Sequence, residues 1–486
     1  MAKDQSLYFS LRCGCYILLF LSFFSSFLFL NWSYFSVDCT CHAGGIESPL
    51  VKNKQQLNLL TFPSAWNLLN FPSQSPLKLL KIALFVKKWP NRDHAGGLER
   101  HASTLHLALA ERGHELHVFT SSFTNLTSTT KKLHFHLSKP TNAGYLDQST
   151  VWKQFLHENS TAKPFDVIHT ESVGLMHTRS RNLTNLAVSW HGIAYESIHS
   201  DIIQQLSRDS EAGPTSILTE RVVKVVEEIR FFQRYAHHVA TSDHVGDVLK
   251  RIYMLPQKRV HIILNGVDEE IFKPEVSKGE DLKLKFGIKE SEPLILGIAG
   301  RLVKDKGHPL IFEALRQIFD ENSTFRNSVI VLVAGDGPWG ARYKELGSNI
   351  RVLGPLDQNQ LASFYNVIDI FVNPTLRAQG LDHTLLEAML VGKALMATKL
   401  ASITGSVIVS QDIGYAFSPT VEELKKALYE VWRDGRVVLK QKGELGRKRA
   451  LRLFTATKMA GAYERLFLCI ADKEKGNEEY CTYNHN

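Results

Sequence analysis

The residues best suited to chemistry in this 486-residue sequence lie in three short loops. In "AGRLVKDKGH", Arg301 and Lys306 stand five apart directly after an apolar run. Cations so placed hold phosphate groups and stabilise the negative charge that develops on a departing diphosphate. In "HAGGLERH", Gly96 and Gly97 fall between a predicted strand and a predicted helix. Backbone without side chains there lets an anion approach the unpaired N–H groups of the first helical turn. In "SWHG", His191 follows another apolar run, a position from which an imidazole can touch substrate. Each loop also has a plainer reading: a solvated charged loop, a glycine turn needed by the backbone alone, or one ordinary histidine among twenty. His94 and His169 are further candidates of the same kind, and no single loop decides.

An alternation of strand and helix positions these loops. "LKIALFV", "HELHVFT", "FDVIHTE" and "LAVSWHG" read as short, buried parallel strands. After the first of them Leu98, Ala102, Leu105 and Leu109 recur at helical spacing, and the pattern stops at Arg112-Gly113. The alternation restarts at "PLILGIAGRL" and continues through "SVIVLVAGDGP", "NIRVLG", "DIFVNPT" and "KALMATKL", after the polar stretch "KPEVSKGEDLKLKFGIKESE". The prediction is an α/β chain with two Rossmann-like, doubly wound domains, 79–275 and 276–455, whose functional loops follow the strand C-termini. Two such domains facing each other form a cleft able to hold a nucleotide on one wall and an acceptor on the other.

Composition narrows the partners. The formal charge of +8 is dispersed, with no long Lys/Arg run, which suits anionic ligands or a membrane surface and gives no support to nucleic acid as a partner. From Cys13 to Val37 no residue is charged. The expectation is a cytoplasmic tail over 1–12, a transmembrane signal anchor over 13–33 and a stem over 34–78, of which "LNLLTFPSAWNLLNF" is apolar enough to dock on the body. A cleaved signal peptide is the competing reading. An uncleaved anchor implies a single-pass type II protein of the Golgi or another endomembrane, with membrane contact through the anchor and a lumenal catalytic region. Sequons at Asn125, Asn159, Asn182 and Asn322 are the glycosylation candidates in that setting. All six cysteines lie in the anchor, the stem or the tail, so the fold is expected to need neither disulfide staples nor a Cys-ligated metal.

"GGLERH", "SWHG", "NGVDEEIFKP", "GRLVKDKGH", "AGDGP", "VLGPLDQNQLASFY", "DIFVNPT" and "GLDHTLLEAMLVGKALMAT" occur in the order and spacing of the retaining GT-B glycosyltransferases of family 4, which the chain resembles from about Leu79 to Leu466. The resemblance implies a GT-B fold and transfer of a sugar from a nucleoside diphosphate sugar donor to a hydroxyl acceptor on a glycan, glycoprotein or lipid, with retention of configuration. It implies that Gly96 and Gly97 approach the donor, that His191 lines the sugar pocket and that Arg301 and Lys306 bind the phosphates. In the same reading Glu387 accepts hydrogen bonds from the ribose, and the loop from Val352 to Leu356 flanks the base. No metal and no cofactor are expected, in keeping with the family and with the lack of any D-x-D triplet. The segment over 456–486, with "TATKMAGAYERLFLCI", is expected to cross back to the first domain as a helix, followed by a tail.

One stretch departs from the family pattern. Where E-G-F-G-L-P-x-x-E is usual, this chain has Gln379, Gly380, Leu381, Asp382 and His383 leading to Glu387. Gln379, expected to act at the sugar, keeps length and an acceptor but loses charge, which weakens that contact by roughly 1–1.5 kcal/mol, about tenfold. Gly380, Leu381 and Asp382 are expected beside the donor sugar, and Asp382 replaces a glycine there. These changes motivate a catalytically weak, sugar-nucleotide-binding scaffold as the alternative. A related hydrolase, epimerase or dehydrogenase is a third reading.

Overall fold

The computed structural model describes residues 56–72, 76–90, 96–121, 132–142, 144, 146–161, 163–206, 215–285, 293–474 and 476–484. The expected anchor at 13–33, most of the expected stem, His94 and Asn125 lie outside the described residues.

Two parallel sheets organise the chain. A short strand β1 (Gln56–Asn58) precedes the first sheet, which comprises β2 (Lys81–Phe85), β3 (Glu115–Ser121), β4 (Leu133–Ser138), β5 (Val167–Glu171), β6 (Leu186–Trp190), β7 (His237–Ala240) and β8 (Val260–Ile262). Its order is β4-β3-β2-β5-β6-β7-β8 and every pairing is parallel. The second sheet contains β9 (Leu294–Ala299), β10 (Val329–Ala334), β11 (Ile350–Gly354), β12 (Ile370–Asn373), β13 (Ala394–Thr398) and β14 (Gly414–Phe417), ordered β11-β10-β9-β12-β13-β14. In both sheets the winding direction reverses beside the first strand, between β2 and β5 and between β9 and β12. Loops leaving those strand ends diverge and open a crevice.

The strands are apolar because helices cover both faces: all five residues of β2 and all six of β10 are buried. The helices that matter for the site are α1 (Gly97–Glu111), α2 (Gln148–Thr161), α3 (Ala194–Leu206), α4 (Ser216–Phe232) and α5 (Asp243–Arg251) in the first domain. The second domain carries α6 (His308–Glu321), α7 (Gln358–Val367), α8 (His383–Leu390) and α9 (Val421–Leu453), the last bent at Gly435. The final helix α10 (Ala456–Lys473) packs Met459, Tyr463, Leu466 and Phe467 into one cluster with Leu105 and Leu109 of α1 and with Leu59 and Trp66 ahead of the first sheet. Asn67, 1% exposed, donates to the carbonyls of Leu264 and Leu453 and accepts from the Leu264 N–H, so the segment before β2 is hydrogen-bonded into the body.

In the tail, Cys469 of α10 is bonded to Cys481, and β15 (Thr482–Asn484) then pairs antiparallel with β1. Sequence position alone could not pair two cysteines that a turn folds back against each other. Of the sequon asparagines, Asn182 is exposed, whereas Asn159 and Asn322 are half-buried and accept backbone N–H groups from Phe165 and Phe325. Nothing in the structure supports their glycosylation.

Candidate active site

The strand ends of the two sheets border a cavity of about 1430 Å³. Gly96, Gly97 and His191 line it from the first domain, and Arg301, Lys306, Gln379, Gly380, Leu381 and Asp382 from the second. Pro355 and Leu356, after β11, complete that wall. Ser172, beyond β5, also faces the cavity and takes the left-handed conformation at φ 51°, a strained backbone of the kind that collects at functional loops.

On the first wall Gly96 is the N-cap of α1, whose first-turn N–H groups point out of the helix. His191 follows β6, and its Nε2 lies 2.6 Å from Oε2 of Glu171, the last residue of β5. The other Glu171 oxygen is 3.1 Å from Nδ1 of His101 on α1. Burial acts to raise the Glu171 pKa, but the imidazoles of His101 and His191 outweigh it and hold the carboxyl well below its ordinary range. Burial itself pushes His101 down, so it serves as a neutral N–H donor. Glu171 thereby fixes the orientation of the His191 ring through Nε2. His101, Glu171 and His191 are also close enough together to form a metal ligand set. His169 does not reach the cavity. It is fully buried and links His106 to Ser189, which contacts the Tyr463 hydroxyl of α10.

Across the cleft, Arg301 is exposed to the cavity and its guanidinium has no ion-pair partner among the described residues. Its backbone is fixed by His308, whose Nε2 donates to the Arg301 carbonyl at 3.1 Å while Nδ1 accepts from the Tyr343 hydroxyl at 2.8 Å. Burial lowers His308 to about 4, so the ring is neutral and holds that loop without adding charge. Gly307 carries φ +78°, and a Cβ there would lie 1.7 Å from the Pro374 carbonyl oxygen, so only glycine fits between the two loops.

Lys306 is engaged. Its Nζ lies 2.7 Å from Oδ2 of Asp382. Asp382 is the N-cap of α8 and accepts from the N–H and the hydroxyl of Thr384, at 3.2 and 2.9 Å. Although burial acts to raise its pKa, Lys306 and Thr384 hold this carboxyl far below its ordinary range. The cation and the helix N-terminus, two features that attract phosphate, thus share a carboxylate from the chain itself.

Glu387 departs from its expected place. It is 1% exposed and does not line the cavity. One oxygen receives Arg100 Nη1 at 2.6 Å and the other the Tyr365 hydroxyl at 2.9 Å. Arg100, itself on the cavity wall, stands between Glu387 and solvent as its ionic partner. Burial raises the Glu387 pKa while the Arg100 guanidinium opposes that shift.

The loop between β12 and α8 meets the first domain closely. Ala378 N–H donates to Ser200 Oγ at 2.8 Å, and Asn265 Nδ2 donates to the Leu381 carbonyl at 3.0 Å. A Cβ on Gly380 would lie 2.3 Å from Thr241 Oγ1, so a side chain there would push the walls apart.

With this geometry in place, comparison with known proteins gives the class. Residues 95–271 match the model of Glycosyltransferase Family 4 and residues 293–434 that of Glycosyl transferases group 1, one match on each sheet. Both matching models are of glycosyltransferases, and the fold is of GT-B architecture. It is 28% identical over 176 residues to the lipopolysaccharide 1,2-N-acetylglucosaminetransferase of Salmonella typhimurium, a match covering 33% of this chain and 44% of that enzyme. The chain thus spans less than half of that relative's length. It is 22% identical over 335 residues to the alpha-monoglucosyldiacylglycerol synthase of Streptococcus pneumoniae, covering 65% of this chain and 71% of that one. Its fold is similar to that of Anabaena Alr3699/HepE, crystallised with UDP-glucose, at TM-score 0.59 and 16% identity over 82% of this chain and all of that one.

The expected Golgi or endomembrane placement is overturned. These relatives are bacterial, and among the described residues no helix is long and apolar enough to cross a membrane. The expected membrane anchor itself lies outside the described residues.

Sequence reasoning missed Glu171, Arg100, His101 and His308. Glu171 left a signal, an acid closing the apolar strand "VIHTE". Arg100 left none, because its partner lies 287 residues away.

Proposed function

We propose that this glycosyltransferase moves a sugar from a nucleoside diphosphate sugar to a hydroxyl acceptor, with retention of anomeric configuration. The observation that supports it is the convergence of Gly96, Gly97, His191, Arg301, Lys306 and Gln379 on one cavity between two switch points. The phosphates lie against Arg301, Lys306 and the N-terminus of α8, where positive charge meets the charge that develops as the sugar–phosphate bond breaks. His191, oriented by Glu171, and Gln379 contact the sugar hydroxyls. The departing phosphate takes the proton of the incoming hydroxyl on the same face of the sugar, so the chain supplies position and cations rather than a nucleophile. Arg301 and Lys306 take the place a metal would hold at the diphosphate. The similar fold that carries UDP-glucose makes uridine nucleotides the first donors to test.

Occupation of Lys306 by Asp382 favours a second reading, a scaffold that binds a sugar nucleotide and turns it over weakly. One experiment separates the two. The purified chain is screened against nucleotide sugars for thermal stabilisation, and binders are then assayed, with chelator present, for release of nucleoside diphosphate in the presence of acceptor alcohols. Stabilisation by about 2.7 kcal/mol at a hundred times Kd, followed by release, supports the transferase. Stabilisation without release supports the scaffold, and no stabilisation by any donor removes both.

A further inference from the structure

Apart from the cavity lining, the edge of the first sheet carries an unusual set of ligating side chains. Glu115, His117 and Phe119 alternate along β3, and His134 and His136 along β4. The parallel register places His117 beside His134 and Phe119 beside His136, so all five side chains share one face of the sheet. Helix α2 brings Glu158 against that face. None of these residues lines the cavity.

The geometry points to a binding site for one divalent transition-metal ion of the zinc class, held by Nδ1 of His117, Nε2 of His136 and the Glu158 carboxylate. The two nitrogens are 2.9 Å apart, Glu158 Oε2 is 3.9 Å from His117 Nδ1, and all three ligand atoms lie within 4.8 Å of one another. Nitrogens bound to zinc at about 2.0–2.1 Å in a tetrahedral shell stand about 3.3 Å apart, so the two imidazoles need shifts of a few tenths of an ångström, while the Glu158 carboxylate must swing in by about half an ångström or more. Glu115 supplies the outer support. Its Oε1 lies 2.9 Å from His117 Nε2, which makes Nε2 the donor and leaves the Nδ1 lone pair facing His136, the carboxylate–histidine–metal arrangement of many zinc centres. His134, whose ring centroid is 4.7 Å from that of His117, or a water completes the shell. The ion ties α2 to the edge strand β4.

The test is calorimetric titration of the chelator-treated full chain with zinc chloride, with cobalt(II) as the spectroscopic probe. One ion per chain with micromolar or tighter affinity and the visible bands of tetrahedral cobalt are expected. His136→Ala removes them, and Glu115→Gln, which touches no metal, weakens binding by about 10–100-fold. Glu158→Gln, at a half-buried helix position, gives the same reading should His136→Ala fail to fold. No binding at micromolar zinc would overturn the site. So would binding that survives Glu158→Gln and His136→Ala, or that is lost instead in His191→Ala, which would place the ion in the cleft.

Discussion

Asp382 occupies the ammonium group of Lys306 on which the proposed donor phosphate would rest, and removing its charge should therefore tighten nucleotide binding. Its carboxylate contacts Lys306 Nζ at 2.7 Å and caps α8. Held far below the ordinary carboxylate range, it is negative at every working pH. A phosphate oxygen placed on the same ammonium group comes within about 4.5 Å of that carboxylate, a repulsion of roughly 3–4 kcal/mol at an effective dielectric of about 20. The open cleft and salt reduce this to about 1.5–3 kcal/mol, so Asp382→Asn should bind nucleoside diphosphate about 10–100-fold more tightly. Asparagine keeps the helix cap. The lost ion pair should still lower stability without ligand by about 1–3 kcal/mol, because Lys306 retains contact with the cleft. Isothermal titration with nucleoside diphosphates, paired with thermal denaturation, reads both quantities. Higher affinity with lower stability is the signature of a carboxylate that competes with phosphate. Unchanged or weaker binding would refute the reasoning and give Asp382 a structural role only.

Other perturbations follow from the same geometry. Gln379→Ala should lower kcat more than nucleotide affinity, by about tenfold, while Gln379→Glu stays active, as steady-state kinetics beside nucleotide titration will show. Glu171→Gln should leave nucleoside diphosphate affinity near wild type but lower turnover by about 10–100-fold, since His191 loses its charged orienting partner; an equal loss in affinity would show that His191 binds the nucleotide instead. Glu196 is 1% exposed and pushed up to about 8 by burial, offset only in part by the Ile193 backbone and the Arg377 guanidinium. Because its folded-state pKa is raised, its contribution to stability is full below about pH 4.5 and is lost as pH rises to about 8. Glu196→Gln should flatten that fall, leaving stability near pH 4.5 unchanged and raising it near pH 8, measured by denaturation across the range.

The two α/β sheets were legible because buried parallel strands are continuous apolar runs, and because glycine and proline mark where each one stops. The loops that face the cleft were legible as positions, since residues just after strand C-termini must lie at the crevice. What they touch was not. Asp382 finds Lys306 76 residues away, and Arg100 finds Glu387 only because the two domains approach each other. Such contacts depend on tertiary placement, to which local pattern is blind. The Cys469–Cys481 bond was hidden for a different reason: thiol spacing does not specify how a turn after α10 folds back. Placement in an endomembrane rested on the first residues and on the sequons, and the bacterial relatives do not support it.

The most direct measurement is release of nucleoside diphosphate from a donor that binds, with acceptor supplied, in the unmodified chain and in Arg301→Ala. Arg301 is exposed to the cavity without an ionic partner among the described residues, so its removal should leave the fold intact. The account predicts release by the unmodified chain and a fall of about 10²–10³-fold in kcat in the variant, the range for loss of one preorganised charge-stabilising group. Equal release from both proteins would contradict the placement of the diphosphate, and with it the reading of this cleft as a sugar-transfer site.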